Sequence, residues 1–208
     1  MVSTGEPSAP RRKRGRPTEA ERALRRDEIL DAAVRLFTAR GFAQVSLDEV
    51  AATAHVAKRT IYGYFGDRTE IFIAAVERLR GRALALAEEG EDTLDQLATE
   101  IVHTLHSDEA VGLHRLMVTE AYAFPALAER FYRDGPVSYV NALTERLPGH
   151  DRDLAGALFS LLLGEPHRQR LLGLRAAPTR AEAGDLATAA LVRLGLHGAA
   201  PDGPASHR

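Results

Sequence analysis

The chain has 208 residues, 45% of them hydrophobic, which is enough to bury a sizeable core as one large or two small domains. It holds no cysteine, which excludes disulfides and thiolate metal sites and agrees with a reducing cytoplasm; no apolar run approaches the roughly 20 residues that span a bilayer, and the basic N-terminus lacks the apolar segment of a secretion signal. The net charge of −2 conceals an asymmetry: residues 1–80 carry 15 Lys and Arg against 11 Asp and Glu, residues 81–208 carry 12 against 18, so only the first part suits a polyanion.

Residues 1–17 are rich in Pro, Gly, Ser and charge and are expected to be disordered. Their run Arg14-Gly15-Arg16-Pro17 resembles the core of an AT-hook. A flexible arm with no bulky side chain at its glycine can lie in the narrow minor groove of A·T-rich DNA, where Arg14 and Arg16 would meet enhanced negative potential. The plainer alternative is a solvated basic tail that adds non-specific attraction.

The first helix is predicted from Thr18 or Glu19 to Arg40, with Ile29, Ala33, Leu36 and Phe37 as its buried stripe. Gly41 suits a left-handed C′ position, with Phe42 packing back on Phe37 in a Schellman arrangement. Ser46 and Glu49 then form a capping box, so a second helix opens at Leu47, its apolar stripe made by Leu47, Val50, Ala51 and Ala54. A third follows from about Lys58 to Phe65, with Ile61 and Phe65 inward. The corner His55-Val56-Ala57 between them is tight. Two short helices joined in this way read as a helix-turn-helix, whose second helix enters the major groove with its N-terminal residues near the bases.

The order Thr60-Ile61-Tyr62, Tyr64-Phe65, then Asp67-Arg68-Thr69-Glu70, with Leu36-Phe37 and Gly41-Phe42 upstream, resembles the DNA-binding domain of the tetracycline-repressor-like (TetR) family over about residues 22–79. The resemblance implies that Ser46, Thr60, Tyr62, Tyr64 and Arg68 contact phosphates, Arg68 replacing a lysine usual in the family, and that Lys58, Arg59 and Gly63 face bases. Two positions depart from the family pattern. His55 stands where glycine usually supplies a positive φ, a region in which histidine is enriched, and Ala57 stands where a serine would cap the recognition helix.

Asp67 and Glu70 are read as a further capping box, opening a long helix to about residue 89 that links the DNA-binding part to the rest. Later helices are predicted from Thr93, from Ser107 or Asp108, from Pro125 with an interruption at Gly135-Pro136, from Asp151, and from Thr179. No alternating strand run is found, so the fold class is all-α. The expected organisation is a basic arm at 1–17, a helix-turn-helix domain at 18–66, a ligand-binding and dimerisation domain at 67–197, and a disordered tail at 198–208.

Residues 115–136 and Leu162-Leu163-Gly164-Glu165-Pro166 look similar to the C-terminal domain of the AefR-like branch of the family. That resemblance implies a small-molecule effector among these helices, with His103, His114, Met117, Glu120, Phe124, Phe131, Tyr132 and Tyr139 as candidate lining residues. The last two long helices carry surplus apolar residues. In the family such helices pack as a four-helix dimer interface, so the resemblance implies that Leu154, Leu158, Leu161, Leu162, Leu186, Ala190 and Leu194 form a homodimer interface.

No stretch declares a nucleophile–base pair, paired carboxylates or an open metal site. His103, His106 and His114 could approach one another, but no ligand signature completes a zinc site, so no metal or cofactor is expected. The expectation is a homodimeric, ligand-responsive repressor of palindromic double-stranded DNA, cytoplasmic and not an enzyme. The competing readings are an AT-hook-assisted architectural protein and a small helical enzyme or metal-binding protein.

Overall fold

Thr18, Ser46, Thr93, Ser107, Asp151 and Thr179 each accept a backbone N–H from three residues on, and each opens a helix in the computed structural model. The structure describes residues 18–88 and 93–197, the side chains of 86–88 excepted; the predicted arm at 1–17 and tail at 198–208 lie outside the described residues. The helices are α1 (Glu19–Arg40), α2 (Leu47–Thr53), α3 (Lys58–Tyr64), α4 (Arg68–Glu88), α5 (Leu94–Leu105), α6 (Asp108–Glu120), α7 (Pro125–Tyr132), α8 (Ser138–Arg146), α9 (Arg152–Leu171) and α10 (Arg180–Arg193). The fold is all-α. Among the described residues no helix is long and apolar enough to cross a membrane.

Two apolar clusters hold these helices. The first joins Ile29, Leu30, Phe37 and Phe42 to Val50 and Ile61 of the helix pair and to Ile71 and Phe72 of α4, and it extends to Leu113, Met117 and Leu127 of α6 and α7. Packing is therefore continuous across residue 66. The second cluster joins Leu97, Ile101, Tyr139, Leu143, Leu158 and Leu191 from α5, α8, α9 and α10, with Ala83 from the far end of α4. Since α4 contributes to both, it connects the two halves through buried apolar surface as well as through the backbone.

Several local expectations need correction. Gly41 has φ 92° but an extended ψ of 152°, and its N–H bonds to the Phe37 carbonyl, so α1 ends without a left-handed Schellman turn. The box at α4 is only half made: Asp67 accepts the Glu70 N–H at 2.9 Å, while the Glu70 carboxylate turns to Arg130 of α7. Helix α9 runs past Leu163 to Leu171, bending at Gly164, whose φ of 45° and ψ of −154° suit only glycine. Pro166 has no N–H to give the Leu162 carbonyl four residues back. His106 Nε2 occupies that carbonyl instead, at 3.2 Å. Of the expected dimer residues, Leu158, Leu162 and Ala190 are spent in the second cluster, because α9 and α10 use those positions against α5 and α8; Leu154, Leu161, Leu186 and Leu194 are only partly covered.

Candidate nucleic-acid interface and inner cavity

The helix pair is fixed at both ends of α2. Ser46 Oγ accepts the Glu49 N–H at 3.3 Å and Glu49 Oε2 accepts the Ser46 N–H at 2.9 Å, while Arg40 of α1 holds the other carboxylate oxygen at 2.6 Å. The Ser46 N–H, with Arg40 second, brings the Glu49 carboxyl down to about 2. At the corner, His55 takes φ 52°, the positive value expected there. Ala57 is extended and offers no side-chain cap to α3, though its carbonyl accepts the Thr60 N–H at 2.8 Å.

From that corner α3 buries Ile61 completely, with Phe65 just beyond it, and turns its other side outward. Arg59 is exposed and has no ion pair or side-chain hydrogen bond. Tyr62 is 53% exposed; a Cβ built on exposed Gly63 meets nothing within 4 Å. Thr60 and Tyr64 are half-buried, Tyr64 packing on the first cluster. Lys58 is exposed but engaged, its Nζ 2.8 Å from Asp48 of α2, and this hydrogen bond raises its pKa.

Arg68, for which the resemblance implies a phosphate contact, is held within the protein. Its guanidinium donates to the carbonyls of Ala43 and Val45 at 2.8 and 3.1 Å and lies 4.5 Å over the Phe42 ring. That position fastens the α1–α2 connection to the start of α4 through a cation–π contact and two charge-assisted hydrogen bonds. Both bonds use Nη1, so the expected phosphate contact at position 68 would come from a guanidinium already anchored to the protein. Arg14 and Arg16 lie outside the described residues.

Between α4, α6, α7, α8 and α9 lies a mainly apolar cavity of about 550 Å³. His114, Phe131, Tyr132 and Tyr139 line it as expected. His103, Met117, Glu120 and Phe124 do not: Met117 is core, Phe124 packs on Phe42 with ring centroids 5.0 Å apart, and Glu120 accepts the Phe42 N–H at 3.0 Å. The resemblance implies that these residues line the cavity, but α6 packs against α1 as well as facing the cavity.

Among the lining residues that the sequence reading missed, two carry rings. Phe159 stacks on Tyr139 at 6.1 Å, and His167 meets His114, Nε2 to Nδ1, at 3.0 Å. No local spacing joins residues 53 positions apart, and His167 becomes helical only because α9 continues through Pro166. Its ring also lies 5.0 Å from His106, so the histidine cluster is His106–His167–His114, with His103 elsewhere. Burial holds His106 and His167 down to about 4 and lowers His114. The Tyr139 hydroxyl is buried without a partner, and burial raises its pKa. Among the described residues no three His, Asp or Glu side chains converge as metal ligands.

The cavity wall connects to the helix pair through rings. Phe131 lies 6.2 Å from Phe72, and Phe72 lies 5.9 Å from Phe42, the residue beneath Arg68.

A three-helix head with an exposed helix-turn-helix, set on a helical body, is the architecture of a helix-turn-helix regulator. Residues 29–75 match the model of bacterial regulatory proteins of the tetR family, and residues 92–194 match that of the AefR-like transcriptional repressor C-terminal domain. The chain belongs to the TetR family of transcriptional regulators, a family of regulators and not of enzymes. It is 32% identical over 108 residues to the HTH-type transcriptional regulator AcrR of Shigella flexneri, a match covering 50% of each chain. The chain spans half or less of the length of the curated relatives it matches. Among solved structures, the flavonoid-responsive regulator FrrA is 26% identical with a TM-score of 0.61, covering 83% of this chain and 95% of its own. A TetR transcriptional regulator from Agrobacterium tumefaciens is 25% identical with a TM-score of 0.57, covering 81% and 93%.

Proposed function

We propose that the chain is a cytoplasmic, homodimeric repressor that binds a palindromic operator and is released by a small apolar effector. The observation that carries the DNA reading is the outward row on α3. Arg59, Tyr62 and Gly63 are exposed together, while Ile61 and Phe65 anchor the helix from behind. Arg59 and Lys58 would read bases from the N-terminal turn, with Ser46, Thr60, Tyr62 and Tyr64 positioning the helix on phosphates. Residues 1–17 would add minor-groove contacts through Arg14 and Arg16.

Dimerisation would use the outer faces of α9 and α10, where Ala157, Leu161, Ala189 and Val192 lie outside the core at helical spacing. Small residues there permit close helix approach. The effector would occupy the cavity beside α6 and α7 and favour a dimer whose recognition helices no longer match half-sites about one turn apart. Continuous packing from Phe131 through Phe72 to Phe42 supports that coupling.

The test is selection of bound sequences from random DNA, with the full chain and with residues 1–17 removed. A two-fold symmetric site kept by both, with weaker binding by the shortened chain, is expected. Selection of asymmetric A·T-rich DNA that is lost with the arm would favour the architectural reading.

A further inference from the structure

The cavity wall is chemically lopsided. Rings of Phe131, Tyr132, Tyr139 and Phe159 and aliphatic side chains make most of it. Its ionic residues are Arg152 and Asp153, both exposed, opposite in sign, and adjacent in sequence; Arg152 is already held by Asn141 at 2.6 Å. Inside, the polar groups are uncharged. The Tyr139 hydroxyl is buried with no partner, and the His114 and His167 rings share a single hydrogen bond. His167 Nδ1 is buried with no hydrogen-bond partner among the described residues, and it is a donor or an acceptor according to which ring carries the shared proton.

We infer that this cavity selects an uncharged, flat, mainly apolar molecule bearing one hydroxyl or carbonyl group, bonded by the Tyr139 hydroxyl and the His114–His167 pair, and that it rejects carboxylates and phosphorylated compounds. The inference rests on the effector reading of the cavity and specifies its chemistry. An anion entering here would lose its hydration, a cost that an uncharged molecule avoids. The nearest buried or half-buried cations, Arg80 beside Tyr139 and Arg170 beside His167, are already bonded, the first to Asp134 and Ser138 and the second to His106 and Asp108. Burial keeps both imidazoles neutral at neutral pH, so they add no positive charge. A single hydroxyl or carbonyl, by contrast, satisfies groups that the protein leaves unpaired, and the surrounding rings stack on a planar body.

Equilibrium dialysis of the full chain at neutral pH against 2-naphthol, 2-naphthoate and naphthalene separates these terms, since the three share one ring system. We expect 2-naphthol to bind about five- to tenfold more tightly than naphthalene and at least about tenfold more tightly than 2-naphthoate. Tyr139→Phe should reduce the preference for 2-naphthol over naphthalene to about two- to threefold, the part left to the His114–His167 pair, with naphthalene binding little changed. Gly156 lines the cavity and a Cβ there meets nothing within 4 Å, so Gly156→Leu should fill the space, keep the fold and remove binding of all three. Naphthoate binding as tightly as naphthol, or a Tyr139→Phe chain with unchanged naphthol affinity, overturns the proposed ligand class while the cavity remains an effector site. Absence of binding by all three at millimolar concentration, or binding indifferent to Gly156→Leu, overturns the effector reading itself.

Discussion

Glu120 Oε1 accepts the N–H of Phe42 at 3.0 Å, joining the end of α6 to the second residue after α1 across 78 positions of sequence. The approach depends on Gly41, since a Cβ there would lie 3.1 Å from the same oxygen. Helix α6 also carries Ala110, Leu113 and His114 into the cavity wall, and Glu109 at its start is paired with the buried Arg78 of α4, which reaches Asp31 of α1 at 2.8 Å. The helix that touches the cavity is thus bonded directly to the base of the DNA-binding head.

Removing that bond should loosen the head. Glu120→Ala leaves a part-buried N–H without its charged acceptor, a loss of about 1.5–3 kcal/mol. Urea unfolding followed by circular dichroism should show the midpoint falling with little change in slope. An unchanged midpoint would mean that water replaces the carboxylate at no cost.

Ala57 is a second testable point. It already has the extended backbone of an N-cap, φ −72° and ψ 143°, but no side-chain acceptor. Ala57→Ser should therefore stabilise the chain by about 1 kcal/mol, read as a higher melting temperature. His55→Gly tests the same corner by relieving the φ of 52°, with a smaller gain because glycine also frees the unfolded chain. A loss of stability in both variants would argue that the corner is held by contacts other than its own backbone.

On α3, Arg59 and Lys58 should behave differently although they are neighbours. Arg59→Ala should cost roughly 1–3 kcal/mol of specific binding and relax preference at one base position. For Lys58 the informative change is in its partner: Asp48→Asn removes both the competing carboxylate and a negative charge near the DNA, so binding should tighten by about threefold to tenfold at low salt, fading as salt rises. Weaker binding by Asp48→Asn would indicate that Asp48 holds Lys58 in its productive position. Fluorescence anisotropy with the selected operator measures both.

Local signals in the sequence carried most of the fold. Capping side chains at Ser46, Thr93 and Thr179 marked helix starts because the bond that defines them spans three residues. The departures at His55 and Ala57 were legible for the same reason. What could not be read was which partner wins when a side chain has two. Glu70 could close its own cap or take Arg130, and Arg68 could wait for phosphate or bind the Ala43 and Val45 carbonyls; in each case a long-range contact prevailed. Likewise Leu158, Leu162 and Ala190 have the spacing of an interface, yet α5 and α8 already cover them. The His114–His167 pair depends on the bend at Gly164 and on where α9 meets α6, neither of which any local window contains.

That pair, with His106, makes stability depend on pH in a definite direction. Burial is the main reason that His106 and His167 titrate near 4 and that His114 is lowered as well. In the unfolded chain they would take protons near 6.5, so between about pH 6.5 and 4 the unfolded state binds more protons than the folded one. Their contribution is therefore present above about pH 6.5 and is lost as the pH falls through 4, by roughly 3 kcal/mol for His106 alone if its folded value is near 4. Glu49, held near 2 by the Ser46 N–H and Arg40, acts in a lower window, so the two effects separate on the pH axis. Urea midpoints at pH 7, 6 and 5 should fall steadily, and His167→Phe should flatten the decline because it removes one buried base and its repulsion of the other two. A decline of the same steepness in that variant would place the lost stability elsewhere.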